Sequence, residues 1–397
     1  MTKIYLKKKK DESVRRFHPW VFSGAVEKMV GQPEEGDIVE VYSHEAEFLA
    51  YGHYQIGSIT VRILGFADDR PIDFWDQRLL AAYNMRRALG LTECSGENAT
   101  NAYRLVHGEG DGLPGLIIDF YNGTAVIQAH SVGMYRSRNK IAEALQRLYG
   151  DRLKAVYDKS SGTAPFKAIE HLQDGYLFGD ESNSAAEVLE NGNKFIVNWE
   201  EGQKTGFFLD QRENRALVAR YAKGRRVLNL FCYTGGFSIY ALKAGAESVV
   251  SVDSSAKAME MVDRNVELNF GPTERHTSLC TDAIEYMKQA EKGKYDLIVV
   301  DPPAFAKHRG ALDTALRAYR RLNAAAIEKV APGGFVFTYS CSQVVDRNAF
   351  ALAVFSAAAS TGRKVRILQR LMQPADHPVN IYHPEGEYLK GLLLYVE

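Results

Sequence analysis

From Arg225 onward, short apolar runs alternate with helical patterns, and this alternation constrains the fold more than any other feature of the sequence. Helical patterns of roughly 12 to 18 residues separate runs that are rich in β-branched and aromatic residues. Such alternation predicts a parallel sheet covered by helices on both faces. The runs are RVLNLF, SVVSVD, DLIVVDPP and GGFVFTYSCS. Because ligands of these sheets bind at the carboxyl ends of the strands, the residues after each run are the candidates for a site.

The part of the chain before this region has a different texture. Residues 1 to about 70 contain short strands separated by Gly, Pro and acidic clusters, a pattern typical of a small β-barrel. Helical periodicity predicts helices over 78–89 and 136–149. Between them, residues 104–131 predict a hairpin with a turn at Asn122-Gly123. No internal repeat or low-complexity linker separates these parts.

Composition and charge narrow the class of protein. The 397 residues are 46% hydrophobic and 25% charged, as expected for two or three globular units. The net charge of zero argues against general nucleic-acid binding, but Lys7–Lys10, Arg15 and Arg16 form a basic cluster that could contact phosphate. With no 18-residue apolar run, no signal peptide and four separated cysteines, we expect a protein of the reducing cytoplasm without a metal site.

Three strand ends carry residues suited to S-adenosylmethionine. The first is followed by NLFCYTGGF, whose two glycines allow a close backbone approach but do not form the G-x-G-x-x-G cradle of a dinucleotide site. Asp253 follows the second strand and could accept both ribose hydroxyls, and Asp282 follows the third and suits an adenine amino group. One such acid is often only a helix N-cap, but the ordered set favours a cofactor site. The predicted cofactor residues are Asn229, Tyr233, Thr234, Gly235, Gly236, Asp253, Ser254, Asp282, Ala283 and Asp301.

The fourth and fifth strand ends suggest the chemistry. Asp301 opens a stiff loop in which Pro302, Pro303 and Phe305 could contact a planar base, and Cys341 ends the next strand. Carbon 5 of a pyrimidine is a weak nucleophile unless a thiolate first adds to carbon 6. Asp301 could then protonate or hydrogen-bond ring nitrogen 3. Alone, Cys341 would more often be a small buried hydrophobe, and its pairing with the Asp-Pro-Pro loop favours the nucleophile.

A polar, proline-rich loop between the last two strands is a further candidate for contact with the base. Within it, His377 and Lys390 are candidates to orient the base or to remove the carbon 5 proton. A purely structural role for His377, paired with Asp376, is equally compatible with the sequence.

Several long motifs resemble the ribosomal large-subunit methyltransferase I family, bacterial enzymes that make 5-methylcytosine in 23S rRNA. The motifs are RRFHPWVFSGAV, GEGDGLPGLIID, KTGFFLDQRENR, NLFCYTGGFS, DPPAF, YSCS, QPADHPV and HPEGEYLKG, in this order along nearly the whole chain. The resemblance implies a PUA RNA-binding domain over 1–72, a central strand-and-helix domain over 73–190, and a Rossmann-like methyltransferase domain over 191–397. It also implies a ribosomal RNA substrate and makes a homodimer plausible.

Residue roles follow from the same resemblance. It implies Cys341 as the nucleophile and Arg15, Arg16 and Trp20 as RNA contacts, although Trp20 and Phe22 could equally belong to the barrel core. Many other RNA cytosine methyltransferases carry a second cysteine in the Asp-Pro-Pro loop, where this chain has Ala304-Phe305. The base that removes the carbon 5 proton therefore stays open between water and a residue of the 373–391 loop. Residues implied to border the cofactor are Phe208, Asp210, Gln211 and Arg212.

Two other functions are compatible with these motifs. The first is methylation of a guanine nitrogen, which needs no thiol and would leave Cys341 as packing. The second is an RNA-binding assembly factor whose methyltransferase fold has lost activity. The intact Gly235-Gly236, Asp253, Asp282 and Asp301 argue against such loss, since function resides in the site rather than in the fold.

Overall fold

The chain forms two compact units in the computed structural model, which describes residues 1–66, 71–92, 95–164, 172–180, 182, 184–306 and 308–397. The first unit contains Met1–Gly192, Val197–Leu209 and Ala375–Gly386, and the second contains Asn193–Ile196, Asp210–Pro374 and Glu387–Glu397. Among the described residues, no helix combines the length and apolarity needed to cross a bilayer.

The first unit begins with a six-stranded sheet in the order β2-β6-β5-β4-β1-β3. Alternating side chains such as Ile4, Val39 and Val61 are buried and form its core. This agrees with the short strands predicted for the N-terminal region. The elements are β1 (Thr2–Leu6), α1 (Glu12–Arg15), β2 (Trp20–Phe22), β3 (Val26–Val30), β4 (Ile38–Tyr42), β5 (Phe48–Tyr54) and β6 (Ile59–Gly65).

A second sheet of the first unit has the order β11-β10-β9-β8-β7. The predicted hairpin is confirmed, because β8 and β9 pair antiparallel across Asn122-Gly123, with φ of 45° and 106°. The first predicted helix begins four residues earlier than expected, and the second is two helices that meet at Ser137. The elements along this part of the chain are α2 (Phe74–Ala88), β7 (Ala102–His107), β8 (Leu116–Tyr121), β9 (Thr124–Ala129), α3 (Val132–Arg136), α4 (Arg138–Tyr149), β10 (Ala155–Asp158) and β11 (Gly175–Phe178). They are followed by β12 (Ala185–Glu190) and β13 (Asn193–Asn198), which lie outside this sheet.

The second unit is a seven-stranded sheet in the order β16-β15-β14-β17-β18-β20-β19. The strands are β14 (Arg226–Leu230), β15 (Ser248–Asp253), β16 (His276–Cys280), β17 (Tyr295–Val300), β18 (Val330–Ser340), β19 (Val365–Met372) and β20 (Lys390–Val396). The helices are α5 (Arg212–Ala222), α6 (Gly236–Lys243), α7 (Ala256–Phe270), α8 (Ala283–Gln289), α9 (Leu312–Lys329) and α10 (Arg347–Thr361).

The predicted parallel, doubly covered sheet is confirmed for β14 to β18; β14, β15, β17 and β18 are largely buried, whereas the edge strand β16 has no buried residue. The prediction is incomplete at one edge, where β20 pairs antiparallel with both β18 and β19. The sheet order reverses at β14, which has β15 on one side and β17 on the other. The carboxyl ends of these strands therefore flank the crevice in which such folds bind ligands.

Candidate cofactor and catalytic site

The loop after β14 has an unusual backbone. Phe231 and Tyr233 have positive φ values of 57° and 48°, and Gly235 has a φ of 83°. Bulky residues rarely adopt this conformation, which is concentrated at functional sites. Asn265 of α7 holds the loop by donating from Nδ2 to the Thr234 carbonyl at 2.9 Å. The glycines could be predicted from the sequence, whereas the strain at the two aromatic residues could not.

Asp253 shapes the same loop. Its Oδ2 accepts a hydrogen bond from the Tyr233 amide at 3.0 Å, and its Oδ1 accepts one from the Ser255 amide at 3.0 Å. The residue is half-buried, while the adjacent Ser254 is exposed. Each carboxylate oxygen has a second lone pair. The arrangement can therefore hold the loop and still accept hydroxyl donors.

Gly236 opens α6 and is sterically required. A β-carbon at this position would lie 2.9 Å from Cδ of Arg215, a buried side chain. A close backbone approach, a positive-φ loop and the Asp253 carboxylate together fit a ribose-bearing cofactor. Arg215 was missed as a site residue, although it lies within the KTGFFLDQRENR motif.

Asp282 is the N-cap of α8. Its Oδ1 accepts from the amides of Ile284 and Glu285 at 2.9 and 3.0 Å, and its side chain is exposed, while Ala283 is buried. The sequence also allowed Asp282 to be only a helix N-cap, and these two hydrogen bonds show that it does cap α8. Contact with adenine through this carboxylate stays a prediction.

Asn229 lies inside the sheet rather than at the edge of the crevice. Its Nδ2 donates to Ser238 Oγ at 2.9 Å, and that hydroxyl lies 2.7 Å from Ser251 Oγ. All three residues are fully buried. These contacts join β14, α6 and β15, so Asn229 positions the glycine loop from below.

Asp301 is oriented by a chain of amides. Gln211 donates from Nε2 to Asp301 Oδ2 at 3.0 Å, and its own Oε1 accepts from Asn214 Nδ2 at 2.6 Å. The neighbouring Arg212 is fully buried, and Asp210 accepts a hydrogen bond from the Tyr388 hydroxyl at 2.7 Å. Asn214 and Tyr388 were not predicted, although both lie in quoted motifs.

Cys341 follows the last residue of β18, is half-buried and is not part of a disulfide. Its segment is tied to the Asp-Pro-Pro loop, because Ser342 Oγ donates to the Ala306 carbonyl at 2.6 Å. On the other side, Ser340 donates to the Tyr319 hydroxyl at 2.9 Å. The segment that carries Cys341 therefore lies beside this loop, and the role of its thiol stays a prediction.

The Asp-Pro-Pro loop presents both buried and exposed groups. Pro302 is buried, Pro303 is exposed, and Phe305 is half-buried with its ring centroid 4.8 Å from that of Tyr319. Burial raises the pKa of Tyr319 to about 12, and the negative charge of the Cys341 thiolate also raises it. Tyr319 is therefore a neutral hydrogen-bonding group beside the thiol.

Lys390 is a buried amine in the same place. It pairs with Ser340 across β20 and β18, is 5% exposed, and donates from Nζ to the Ser342 carbonyl at 2.5 Å. Burial lowers the pKa of Lys390 to about 8, whereas the negative charge of the Cys341 thiolate acts to raise it. A lysine with this pKa can exchange a proton near neutral pH.

The other cysteines are less suited to nucleophilic attack. Cys232 is buried within the glycine loop, and this burial raises its thiol pKa well above the usual range. Cys280 is exposed at the end of β16. Cys94, which no motif surrounds, lies outside the described residues.

His377 does not behave as a group poised to act on a base. It is 1% exposed, and its Nδ1 lies 3.0 Å from Asp376 Oδ1 within the first unit. The carboxylate of Asp376 also accepts from the Arg104 amide at 3.0 Å. The predicted pairing with Asp376 is thus present as a contact, and a role of His377 toward the base stays a prediction.

The predicted RNA contacts lie in the first unit. Arg15 is ion-paired with Asp11 and Glu47, and Arg16 is ion-paired with Glu12. Both arginines are exposed.

Trp20 is half-buried and donates from Nε1 to Glu109 Oε1 at 2.9 Å, whereas Phe22 is 44% exposed and is not part of the barrel core. Phe208 also belongs to the first unit, where the Lys204 ammonium lies 5.4 Å from its ring centroid.

Three potential metal ligands also meet in the first unit. His18, His383 and Glu385 each offer one ligand atom, and these atoms lie within 4.8 Å of one another. The two imidazoles pack edge-on, with ring centroids 5.5 Å apart, and His383 packs against Trp20 at 4.3 Å. The two histidines therefore pack with Trp20 in a cluster of aromatic rings.

Comparisons with known proteins agree with this geometry. Residues 167–393 match the family described as S-adenosylmethionine-dependent methyltransferase, and residues 4–66 match a PUA-like domain. Ribosomal RNA large subunit methyltransferase I of Aeromonas hydrophila is 40% identical, covering 98% of each chain. The protein of the same name from Photobacterium profundum is 39% identical over the whole of both chains.

Solved structures share the fold. A chain described as a methyltransferase complexed with SAH superposes with a TM-score of 0.84 at 23% identity, covering 100% of both chains. A SAM-dependent methyltransferase chain from Streptococcus mutans gives 0.82 at the same identity and coverage. At this identity the likeness supports the fold alone.

Proposed function

The chain belongs to the ribosomal RNA large subunit methyltransferase I family of S-adenosylmethionine-dependent methyltransferases, and from that premise we propose that it methylates carbon 5 of a cytosine in 23S rRNA. The observation that carries the proposal is the position of Cys341. Its half-buried thiol follows β18, its segment is tied to the Asp-Pro-Pro loop, and the amine of Lys390 donates to the next residue's carbonyl. The expected compartment is the cytoplasm, where this RNA is found.

The cofactor would be held by the crevice around β14. The glycine loop from Tyr233 to Gly236 and the carboxylate of Asp253 fit its ribose, and Asp282 fits its adenine. When bound, S-adenosylmethionine supplies an electrophilic methyl group. The residues of this chain must therefore make a nucleophile of a carbon atom that is not nucleophilic on its own.

Cys341 would supply that activation. Lys390, in its neutral form, accepts the thiol proton, and the resulting thiolate adds to carbon 6 of the base. The new ammonium beside Cys341 compensates the negative charge until the adduct forms. Asp301, held in place by Gln211, would carry a proton that it donates to ring nitrogen 3 as electron density moves into the ring, and it would recover this proton when the adduct breaks down.

Release of the product reverses the addition. After methylation, loss of the carbon 5 proton to water allows the bond between Cys341 Sγ and carbon 6 to break. Water is the acceptor in this proposal because His377 is buried against Asp376 and no second cysteine is present in the Asp-Pro-Pro loop.

A product analysis with three variants tests the proposal. The protein, Cys341→Ala, Asp253→Ala and the thiol control Cys94→Ala are incubated with labelled S-adenosylmethionine and rRNA, and the nucleosides are identified by mass spectrometry. We expect 5-methylcytidine from the unmodified chain and from Cys94→Ala, and none from the other two. Methylguanosine that persists in Cys341→Ala would favour the guanine alternative.

Absence of transfer to any RNA, together with tight RNA binding, would favour the inactive assembly factor. RNA that contains 5-fluorocytidine provides an independent measurement. Because fluorine cannot leave as a proton, the adduct should accumulate as a protein–RNA complex stable to denaturation, and Cys341→Ala should abolish it.

A further inference from the structure

The first unit displays a cluster of exposed apolar side chains, which we call the aromatic platform: Phe17, Phe22, Ile381 and Tyr382. Their exposed fractions are 47%, 44%, 84% and 51%. The ring centroids of Phe17 and Tyr382 are 5.3 Å apart. Contiguous exposed apolar groups of this kind usually mark a binding surface.

Phe17 occupies a position where glycine is usual. After α1, the His18 amide donates to the Ser13 carbonyl and the Phe17 amide donates to the Val14 carbonyl, both at 2.9 Å. These are the two hydrogen bonds of a Schellman helix end, and Phe17 takes its left-handed position with a φ of 64°. Because a bulky side chain is disfavoured there, helix termination does not account for an aromatic ring at this position.

The opposite side of the platform is fixed by Asn380. Its Oδ1 accepts from the Tyr382 amide at 2.9 Å, and its Nδ2 donates to the Glu109 carbonyl at 3.2 Å. Phe22 in turn packs against the rings of His18 and Trp20, at centroid distances of 5.8 and 6.1 Å. The aromatic rings are therefore positioned by the fold while their outer faces stay exposed.

A run of four lysines begins beside the platform. Lys7 donates from Nζ to the carbonyl of Gly24 at 3.0 Å, two residues after Phe22, and the exposed Lys8, Lys9 and Lys10 follow it. Arg15 and Arg16 are paired with carboxylates, so these lysines carry the available positive charge. Exposed aromatic rings beside lysines are the combination that binds unpaired nucleotides, through base stacking and phosphate contacts.

We propose that the aromatic platform binds an unpaired segment of the RNA substrate, with a base stacked on Phe17, Phe22 or Tyr382 and phosphates on Lys8–Lys10. The proposal rests on the proposed RNA substrate and is independent of which atom of the RNA is methylated. It assigns a strand-capturing surface to the first unit, in addition to the arginines predicted from the sequence.

Two variants, Phe17→Gly and Tyr382→Ala, test the platform. The matched control is Phe355→Ala, which removes a ring that is 66% exposed on α10 of the second unit. Fluorescence anisotropy measures affinity for a single-stranded RNA and for the same sequence in a duplex. We expect each platform variant to lose roughly 5- to 150-fold in single-strand affinity, the range for one stacked base, with little change for the duplex and none for the control.

Measurements of stability and of turnover distinguish a loss of RNA stacking from a loss of folding or of catalysis. Thermal unfolding of Phe17→Gly should remain close to that of the unmodified chain, because glycine suits the helix end, and its KM for RNA should rise while kcat at saturating RNA is kept. If Phe17→Gly does not fold, the single-strand affinity of Tyr382→Ala tests the proposal by itself. Unchanged single-strand affinity, or an equal loss for the duplex or for Phe355→Ala, would overturn the proposal. Cys341→Ala should bind RNA normally, so a failure of the chemistry leaves this test intact.

Discussion

The sheet edge of the second unit and the aromatic platform of the first unit are assembled in different ways. At the sheet edge, each proposed group stands at the end of its own strand, as Asp253, Asp301 and Cys341 do at the ends of β15, β17 and β18. The platform joins residues 17–22 to residues 381–382, from opposite ends of the chain. Reactive groups are thus positioned by the regular geometry of a sheet, whereas the recognition surface depends on contacts between distant segments.

Loss of the nucleophile should give the largest difference between an effect on methyl transfer and an effect on RNA binding. Cys341→Ala is expected to reduce methyl transfer at least about 10³-fold, on the scale of other lost nucleophiles, while RNA affinity stays within about twofold of the unmodified chain. Single-turnover assays and anisotropy on the same preparation measure the two effects. A variant that loses both activities to the same degree would contradict a division between chemistry and recognition.

Removal of Asp253 should weaken cofactor binding. Asp253→Ala loses two backbone hydrogen bonds and the proposed ribose contact, and hydrogen bonds to a charged group contribute about 1.5–3 kcal/mol each. We expect S-adenosylhomocysteine affinity to fall roughly 10- to 150-fold by isothermal calorimetry. Asp282→Ala is the comparison, and a larger loss there than in Asp253→Ala would reverse our ranking of the two carboxylates.

The pH dependence of activity should follow the ionisation of the Lys390 amine. Since the proposed role needs the neutral amine, activity should rise with pH up to about 8, the pKa to which burial lowers this group. Lys390→Met should remove this limb of the profile and reduce the rate about tenfold or more, within the range of general acid–base catalysis. A profile unchanged in Lys390→Met would exclude Lys390 as the proton acceptor.

The pH dependence of the free energy of unfolding provides a second measurement of Lys390. Below pH 8 the folded chain must bury the ammonium, and between pH 8 and 10.5 the unfolded chain binds a proton that the folded chain does not. The free energy of unfolding should therefore gain a contribution from Lys390 as pH rises through this window, and that contribution is lost as pH falls through 8. Urea unfolding of Lys390→Met at pH 7 and 9.5 should lack this dependence.

The smallest expected effect concerns the tie between the two catalytic loops. Ser342→Ala removes the 2.6 Å hydrogen bond to Ala306 and should cost about 1 kcal/mol in the free energy of unfolding. Methyl transfer should decrease several-fold while RNA binding is unchanged. If Ser342→Ala altered affinity for single-stranded RNA instead, the sheet edge would also take part in recognition.

The sheet and its strand-end residues could be predicted from the sequence because both follow from local patterns. Apolar runs identify β14, β15, β17 and β18, and the residue after each run must lie at the same edge. Lys390 could be suggested from its motif, but its burial and its pairing with Ser340 required the antiparallel β20, which periodicity did not predict.

The remaining features depend on contacts that no local pattern encodes. The positive φ of Phe231 and Tyr233 occurs in a loop that Asp253 and Asn265 contact from two other elements. The sequence places Asn229 near a strand end, but it does not show on which face of the sheet the side chain lies. In the structure this side chain donates to Ser238 of α6. His377 illustrates the same limit, because its partner Asp376 binds Arg104, far away in the sequence.

The discontinuity of the first unit has a consequence for synthesis on the ribosome. Arg86 is fully buried, and its Nη2 donates to the Asp376 carbonyl at 2.8 Å as well as to Asp111. Residues 1–192 therefore leave the ribosome without a segment that completes their polar network. At about 5–20 residues per second, residue 375 follows residue 192 by roughly 10 to 40 s. During this interval the nascent first unit keeps a polar surface open, and it closes only when residues 375–386, between β19 and β20, are made.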